Sequence, residues 1–172
     1  QDISCIGKCS LTVALPIISA MGIETAVIPT AVLSTHTGFS DFTFRDLTED
    51  IPKIIEHWVK EGFELDAVYS GYLGSLRQIE LVRELFCRFH PVLRFVDPAM
   101  ADDGKLYTGF DQEFVQDMAR LCADADVMIP NMTEACLLCG KTYEPDADET
   151  FIREILKELG KRGTHRVIMT GV

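Results

Sequence analysis

The chain has 172 residues, of which 47% are hydrophobic and 25% charged, and this composition predicts one globular domain with its own core. Sixteen Lys and Arg residues against twenty-seven Asp and Glu residues give a net charge of −11. This acid excess argues against a nucleic-acid-binding protein, which needs basic side chains to neutralise phosphates. No apolar run approaches the roughly 18 to 20 residues that span a bilayer, so the sequence predicts no membrane-embedded segment.

The first third of the chain contains two predicted helices and a β-rich segment between them. Residues 11–21 are predicted to form a buried helix with Pro16 as a site for a kink, and the β-rich residues 24–33 follow. A second helix begins at Ile51, because apolar residues then recur at helical spacing until Gly62 ends it.

From residue 67 onward, predicted strands alternate with predicted helices. Short apolar runs predict strands at 67–69, 92–96, 127–129 and 166–169. Helical spacing predicts helices at 76–89, from Asp111 to about Cys122, at 133–138 before Gly140, and at 152–159, the first opening with a Ser75/Gln78 capping box. The alternation predicts an α/β fold with a central, mostly parallel sheet and helices on both faces.

Ligands in such folds bind beyond the carboxyl ends of the strands. Polar or glycine residues follow five predicted strands, at 34–38, 70–75, 97–98, 130–134 and 170–171. These segments predict a binding site at one rim of the sheet. Residues 34–46 and 97–110 are also longer than compact connections require, which favours loops that cover a ligand.

Oxygen ligands are concentrated in the later segments of this rim. Asp97, Asp102, Asp103, Asn131 and Glu134 offer the donors that Mg²⁺ shares with substrate phosphates and water. Neither GxxxxGK[ST] nor GxGxxG occurs, so neither a Walker loop nor a dinucleotide fingerprint is present. Taken singly, these residues also suit a strand-ending turn or a helix cap.

The six cysteines favour a reducing compartment, and the predicted location is the cytoplasm. They occur in apolar or helical contexts without the dense spacing of a secreted disulfide scaffold. Cys136 and Cys139 could form half of a zinc site or a redox pair, but no second CxxC follows. We favour their packing as small hydrophobic residues on one helix.

Several motifs, in their order and spacing, give the chain a family resemblance. They are QDISCIGKCS, MGIETAVIPTAVLSTHTGF, SGYLGS, VDPAMADDGKLY and IPNMTEA. Together they resemble the pyridoxal (pyridoxine, pyridoxamine) kinases of the ribokinase superfamily from the first residue to the last. The resemblance implies a ribokinase-like three-layer α/β/α fold and ATP-dependent phosphorylation of the 5′-hydroxymethyl group of a B6 vitamer.

The resemblance also implies which residues bind the acceptor substrate. Asp2 stands where the family usually has a serine that touches the pyridine ring, so this contact is altered here. His36, Thr37 and Gly38 match the loop that lies against the ring, and Tyr72 resembles a wall of the same pocket.

The same comparison implies an ATP and metal side. Asp97, Asn131, Glu134 and Thr170 match residues at the ATP end, and Asp97, Asp102 and Glu134 match residues associated with Mg²⁺. Ile129 replaces a threonine that in some relatives helps bind a monovalent cation, so that ion site is expected to differ.

The resemblance further implies more chain than is present. Gln1 begins inside the expected first strand, and the family's Gly-Thr-Gly-Asp anion hole, whose aspartate acts as the base, is expected beyond Val172. We therefore expect an incomplete view of a longer kinase that acts as a homodimer. There are two alternatives. The protein could be a hydroxymethylpyrimidine kinase, or the chain could be a non-catalytic domain that binds a ligand or forms a dimer.

Overall fold

The computed structural model describes residues 1–164 and 166–171. The helices are α1 (Leu11–Ala20), α2 (Ile51–Glu61), α3 (Leu76–Phe89), α4 (Gln112–Ala123), α5 (Met132–Cys139) and α6 (Glu149–Leu159). The strands are β1 (Ile3–Ser4), β2 (Ala31–Leu33), β3 (Phe44–Asp46), β4 (Ala67–Ser70), β5 (Leu93–Val96), β6 (Ala101–Asp102), β7 (Lys105–Leu106), β8 (Val127–Met128) and β9 (Arg166–Val167).

A parallel sheet of four strands lies at the centre of the fold, as predicted. Its order is β4-β5-β8-β9, and every neighbouring pair is parallel. Ser70 pairs with Val96, and Val96 pairs in turn with Met128, so the carboxyl ends of these strands lie at one edge. β1 and β2 pair in parallel, and β3 adds to β2 in the antiparallel direction.

Local capping explains where the later helices begin and end. The side chains of Asp111, Asn131 and Asp148 each accept a hydrogen bond from the backbone N–H three residues on, which satisfies one free donor of the helix. α2 and α5 end at Gly62 and Gly140, both in the left-handed conformation that glycine adopts without a side-chain clash.

The core lies between the four-stranded sheet and helices α2 to α6, each of which packs against the next. It is built from aliphatic residues and methionines, including Ile55, Ile79, Val96, Met100, Met118, Leu121, Met128, Ile155 and Leu159. A fully buried side chain of this size contributes about 1.5–3 kcal/mol. None of the described helices is long and apolar enough to cross a membrane.

Two cysteines that could have formed a functional pair take part in this packing. Cys136 is buried in the core, and the half-buried Cys139 packs against it. Burial raises the pKa of both thiols, which makes them less reactive at neutral pH. These positions agree with the packing role favoured from the sequence.

The prediction of a buried first helix is wrong. No residue of α1 is buried, and Ile17 is 55% exposed. The helix is apolar on all sides, a pattern usually found in buried helices, but among the described elements it packs mainly against β1, so its outer surface faces solvent. The helix includes Pro16, as predicted, and a kink at this residue stays a prediction.

Three further segments differ from the prediction. The β-rich segment 24–33 forms a strand only at Ala31–Leu33, which begins two residues after Pro29, a residue with no N–H to donate. Residues 34–46 are not wholly irregular, because β3 lies at their end. Residues 97–110 include the β6–β7 hairpin. These strands are too short to show an alternating pattern in the sequence.

Candidate active site

A cleft of about 400 Å³ opens at the carboxyl ends of β4 and β5. Tyr69, Gly71 and Tyr72 of the β4 end and Asp97 of the β5 end form one side. The other side consists of the segment before α1 and the first turns of α1, namely Lys8, Cys9, Ser10, Val13, Ala14, Ile17 and Ile18. The structure thus places two predicted site residues, Tyr72 and Asp97, in one cleft.

Asp97 lies in an environment that favours its protonated form. Its Oδ2 accepts a hydrogen bond of 3.2 Å from the hydroxyl of Tyr69, and its backbone N–H donates to Ser70. Burial raises the pKa of Asp97 to about 6, although the hydrogen bond from Tyr69 opposes this shift. Among the described residues, Asp97 Oδ1 has no hydrogen-bond partner and remains available to a ligand.

Tyr69 is a site residue that the sequence did not reveal. Burial and the neighbouring Asp97 raise the pKa of its phenol to about 12, so the group remains a hydrogen-bond donor. Its position as the last residue of the predicted strand 67–69 was the available signal. Because β4 and β5 are parallel and in register, a long side chain there can reach the residue that follows β5.

Glu134 connects the start of α5 to the segment after β5. The residue is 2% exposed; Oε1 accepts the N–H of Met100 at 3.1 Å, and Oε2 accepts the N–H of Asn131 at 2.8 Å. Asn131 returns the interaction through its Oδ1, which accepts the N–H of Glu134 and completes a capping box. Burial, with a smaller repulsion from Asp97, raises the pKa of Glu134 to about 8 against the effect of these donors.

Asn131 holds together the other predicted ATP-side segments. Its side-chain N–H donates to Ala101 on β6 at 2.8 Å, and its backbone forms an isolated parallel bridge with Thr170. Asp102, the next residue on β6, is exposed, and its Oδ1 accepts the N–H of Asp103. Asn131, Glu134, Thr170 and the β6 strand therefore meet at one edge of the sheet.

Asp2 and Tyr72 are the two residues of the predicted acceptor side that lie outside the loop of His36. Asp2 is 4% exposed; its Oδ2 accepts the hydroxyl of Ser4, whereas its buried Oδ1 has no hydrogen-bond partner among the described residues. Burial, followed by the negative charges of Asp2 and Asp46, raises the pKa of Tyr72.

The loop of His36, Thr37 and Gly38 lies beside the cleft, not among the residues that line it. All three residues are exposed, and His36 Nδ1 accepts the N–H of Gly38 at 3.2 Å. A Cβ atom placed on Gly7 would lie 3.4 Å from the His36 ring, so the loop packs against the segment that leads to Lys8. Direct contact of this loop with a substrate stays a prediction.

No cluster of three or more His, Cys, Asp and Glu side chains within residues 1–164 and 166–171 could hold a metal ion. Asp97, Asp102 and Glu134 do not form such a cluster, and both oxygens of Glu134 already accept backbone N–H groups. Mg²⁺ needs only one or two carboxylates when phosphates and water complete its shell. The free Oδ1 of Asp97 suits that mode of binding, and the role of Asp102 stays a prediction.

The parallel sheet, with its cleft and buried carboxyl groups at the strand ends, defines an α/β domain that binds ligands at the carboxyl edge. The sequence profile of one family, phosphomethylpyrimidine kinase, matches residues 15–172. The chain belongs to this family, and its predicted likeness to the pyridoxal kinases of the ribokinase superfamily is confirmed by the relatives that match it.

Pyridoxal kinase PdxY of Pseudomonas entomophila is 30% identical to the chain over 151 residues, which cover 83% of the chain and 51% of the relative. A Bacteroides thetaiotaomicron protein assigned to the phosphomethylpyrimidine kinases has been solved with pyridoxal. That structure is 44% identical, with a TM-score of 0.93 over 98% of the chain and 59% of the relative.

The pyridoxal kinase of Leishmania donovani, solved with ADP and pyridoxamine, is 25% identical. Its TM-score is 0.84 over 97% of the chain and 61% of the relative. The chain spans about half the length of the curated relatives that it matches.

Proposed function

We propose that the complete protein is an ATP-dependent pyridoxal kinase, which transfers the γ-phosphate of ATP to the 5′-hydroxymethyl group of pyridoxal, pyridoxine or pyridoxamine. The observation that carries the proposal is the cleft in which Tyr72, on the acceptor side, and Asp97, on the phosphate side, line one space. Phosphoryl transfer depends mainly on positioning and on stabilisation of charge, and one shared cleft provides the positioning.

The acceptor side of the proposed site comprises Asp2, His36, Thr37, Gly38 and Tyr72. Asp2 supports this role because its buried Oδ1 is an acceptor without a donor, and a ring N–H of a bound vitamer would supply one. The phenol of Tyr72 remains protonated at neutral pH and can donate a hydrogen bond to the same ligand.

The phosphate side comprises Asp97, Asn131, Glu134 and Thr170, with Mg²⁺ near Asp97, Asp102 and Glu134. Bound Mg²⁺ would neutralise phosphate charge in a chain that carries a net charge of −11. Asp97 would be the main protein contact of the ion, and Glu134 would act by fixing the backbone of Met100 and Asn131. A monovalent cation is a further candidate cofactor, and Ile129 is where we expect its site to differ from that of relatives with a threonine.

The test is a coupled assay of ADP release by the complete gene product, with the phosphorylated product identified by mass spectrometry. We expect turnover of at least one of pyridoxal, pyridoxine and pyridoxamine. No turnover of any vitamer in the presence of ATP and Mg²⁺ would refute the proposal.

Hydroxymethylpyrimidine kinase activity is the second candidate, and the family profile that matches residues 15–172 favours it. Both substrates present a hydroxymethyl group on a nitrogen heterocycle, so the phosphate side would serve either one. The ratio of kcat/KM for pyridoxal to that for hydroxymethylpyrimidine, measured on one preparation, distinguishes the two activities.

We also propose that the complete protein is a homodimer in the cytoplasm. Exposed apolar side chains directly after α1, namely Met21 and Ile23, support a contact between two copies. All six cysteines are free thiols, which suits a reducing compartment. Sedimentation velocity tests the dimer, and a monomer at micromolar concentration would refute it.

A further inference from the structure

Gln78 is buried at the start of α3, where the sequence predicts it to close a capping box with Ser75. Its backbone N–H does donate to the Ser75 hydroxyl, at 3.3 Å. Its side chain, however, does not return to Ser75 and instead makes a separate set of contacts, with only 1% of the residue exposed. A buried amide needs specific partners, so these contacts indicate what the residue does.

The amide of Gln78 joins three separate segments. Its Oε1 accepts the N–H of Gly74 at 2.8 Å, in the turn that carries Tyr72. Its Nε2 donates to the backbone oxygen of Thr30 at 3.1 Å and to the hydroxyl of Thr48 at 2.9 Å. These partners lie directly before β2 and shortly after β3, so one side chain ties the β4 turn to both ends of the β2–β3 unit.

The contacts permit only one orientation of the amide. A flipped amide would direct its NH₂ group at the N–H of Gly74 and its oxygen at the oxygen of Thr30, which would create two repulsive contacts in a buried site. The hydroxyl of Thr48 donates in turn to Asp46 Oδ1 at 2.5 Å, which leaves its lone pair free to accept from Gln78.

The segments that Gln78 joins all carry acceptor-side residues. Tyr72 lies two residues before Gly74, and its backbone oxygen also accepts the Thr30 hydroxyl at 3.5 Å. The loop that contains His36 connects β2 to β3. The phosphate-side residues Asp97 and Glu134 make no hydrogen bond to Gln78.

We propose that Gln78 is a positioning residue for the acceptor substrate. Its amide fixes the Tyr72 turn relative to the β2–β3 unit and so sets where the hydroxymethyl group lies in the cleft. The inference rests on the proposed kinase function. A displacement of about 1 Å in a reacting group can reduce the rate about a hundredfold, so a contact of this kind can control turnover without touching the substrate.

Gln78→Glu tests the inference, because it keeps the size of the side chain but replaces the NH₂ group with a carboxylate oxygen. That oxygen cannot donate a hydrogen bond to the backbone oxygen of Thr30 or to the hydroxyl of Thr48. Thr48→Val removes one partner from outside α3 and is the milder change. Gln116→Glu on α4 makes the same chemical change at an exposed position and is the matched control. All three are made in the complete gene product.

We expect Gln78→Glu to lower kcat/KM for pyridoxal about 10- to 100-fold, with the KM for ATP within about twofold of the wild type. Thr48→Val should also lower kcat/KM for pyridoxal, but by a smaller factor. Gln116→Glu should have the same kcat/KM as the wild type. Unchanged kcat/KM for pyridoxal in a folded Gln78→Glu protein would overturn the inference. An equal loss for pyridoxal and ATP would also overturn it, because this would indicate a general effect on folding.

Two measurements without turnover separate this inference from the proposed function. Hydrogen exchange at the Gly74 amide in the ligand-free protein should be faster in Gln78→Leu, which removes the acceptor of this N–H, than in the wild type, and equal rates would overturn the inference. If the wild type phosphorylates no vitamer, the proposed function fails. Calorimetric titration with pyridoxal then decides whether Gln78 positions the ligand. Weaker binding to Gln78→Glu supports the positioning role, whereas equal binding, or none to the wild type, overturns it.

Discussion

Replacement of Glu134 by Gln is expected to destabilise the protein in a way that depends on pH. The glutamine oxygen can accept the N–H of Met100 or that of Asn131, but its NH₂ group must then face the other donor. One hydrogen bond is lost, at about 1 kcal/mol, and one buried N–H is left without a partner, at about 1–3 kcal/mol. The expected loss near pH 6 is therefore about 2–4 kcal/mol, a large part of the 5–15 kcal/mol typical of a domain.

The pH dependence follows from the raised pKa of Glu134. A carboxyl group with a folded pKa of about 8 and an unfolded value of 4.5 stabilises the fold fully below the unfolded value. This contribution is lost as the pH rises through 8. Glutamine does not titrate, so the stability difference between the wild type and Glu134→Gln should narrow by roughly 1–3 kcal/mol from pH 6 to pH 8.

Urea unfolding of the ligand-free and metal-free proteins at several pH values measures both effects. Glu113→Gln is the matched control, because Glu113 lies in the first turn of α4 but is exposed. It should remain within about 0.5 kcal/mol of the wild type. A similarly small change in Glu134→Gln would refute the structural role of Glu134. If the stability difference between the wild type and Glu134→Gln widened as the pH rose, burial would not raise the pKa of Glu134.

Three other substitutions test separate parts of the structure. Asp97→Asn should lower kcat at least about 100-fold while pyridoxal still binds, whereas Asp66→Asn, at the opposite end of β4, should leave kcat unchanged. Steady-state kinetics measures kcat and calorimetry measures pyridoxal binding. An unaltered kcat in Asp97→Asn would contradict the role proposed for Asp97. Asp2→Ser should raise the KM for pyridoxal, because it removes the unpaired buried oxygen that would accept the ring N–H; an unchanged KM would contradict this. Gly140→Ala should lower the free energy of unfolding by about 1 kcal/mol, because the φ of Gly140 is 69°. Gly160→Ala should not destabilise the protein in this way, because the φ of Gly160 is −61°. Equal unfolding midpoints for the two variants would refute the conformational argument.

The helices could be predicted from the sequence because the signals that define them are local. Asp111 and Gly140 act within one turn of the helix they begin or end, and the structure has both in those roles. The burial of α1 could not be predicted in the same way. It depends on which elements cover the helix, and the apolar pattern does not specify that.

The position of the site could be predicted from a topological rule, but its internal contacts could not. Residues that follow parallel strands must share one edge, and Asp97 and Asn131 were found on that basis. The hydrogen bond of Tyr69 to Asp97 depends on the register between two strands, and the contacts of Gln78 with Thr30 and Thr48 depend on segments more than 25 residues away. The sequence contains no local signal for either arrangement.

The candidate site draws its two sides from different parts of the chain. The residues assigned to the acceptor lie directly before β1, in the loop after β2 and in the turn after β4, and those assigned to phosphate follow β5, β8 and β9. Substitutions in the amino-terminal half can therefore change which heterocycle is bound while the phosphate groups keep their contacts. A family with this layout can acquire a new acceptor specificity without rebuilding its transfer chemistry, and Asp2 is a position at which such a change would begin.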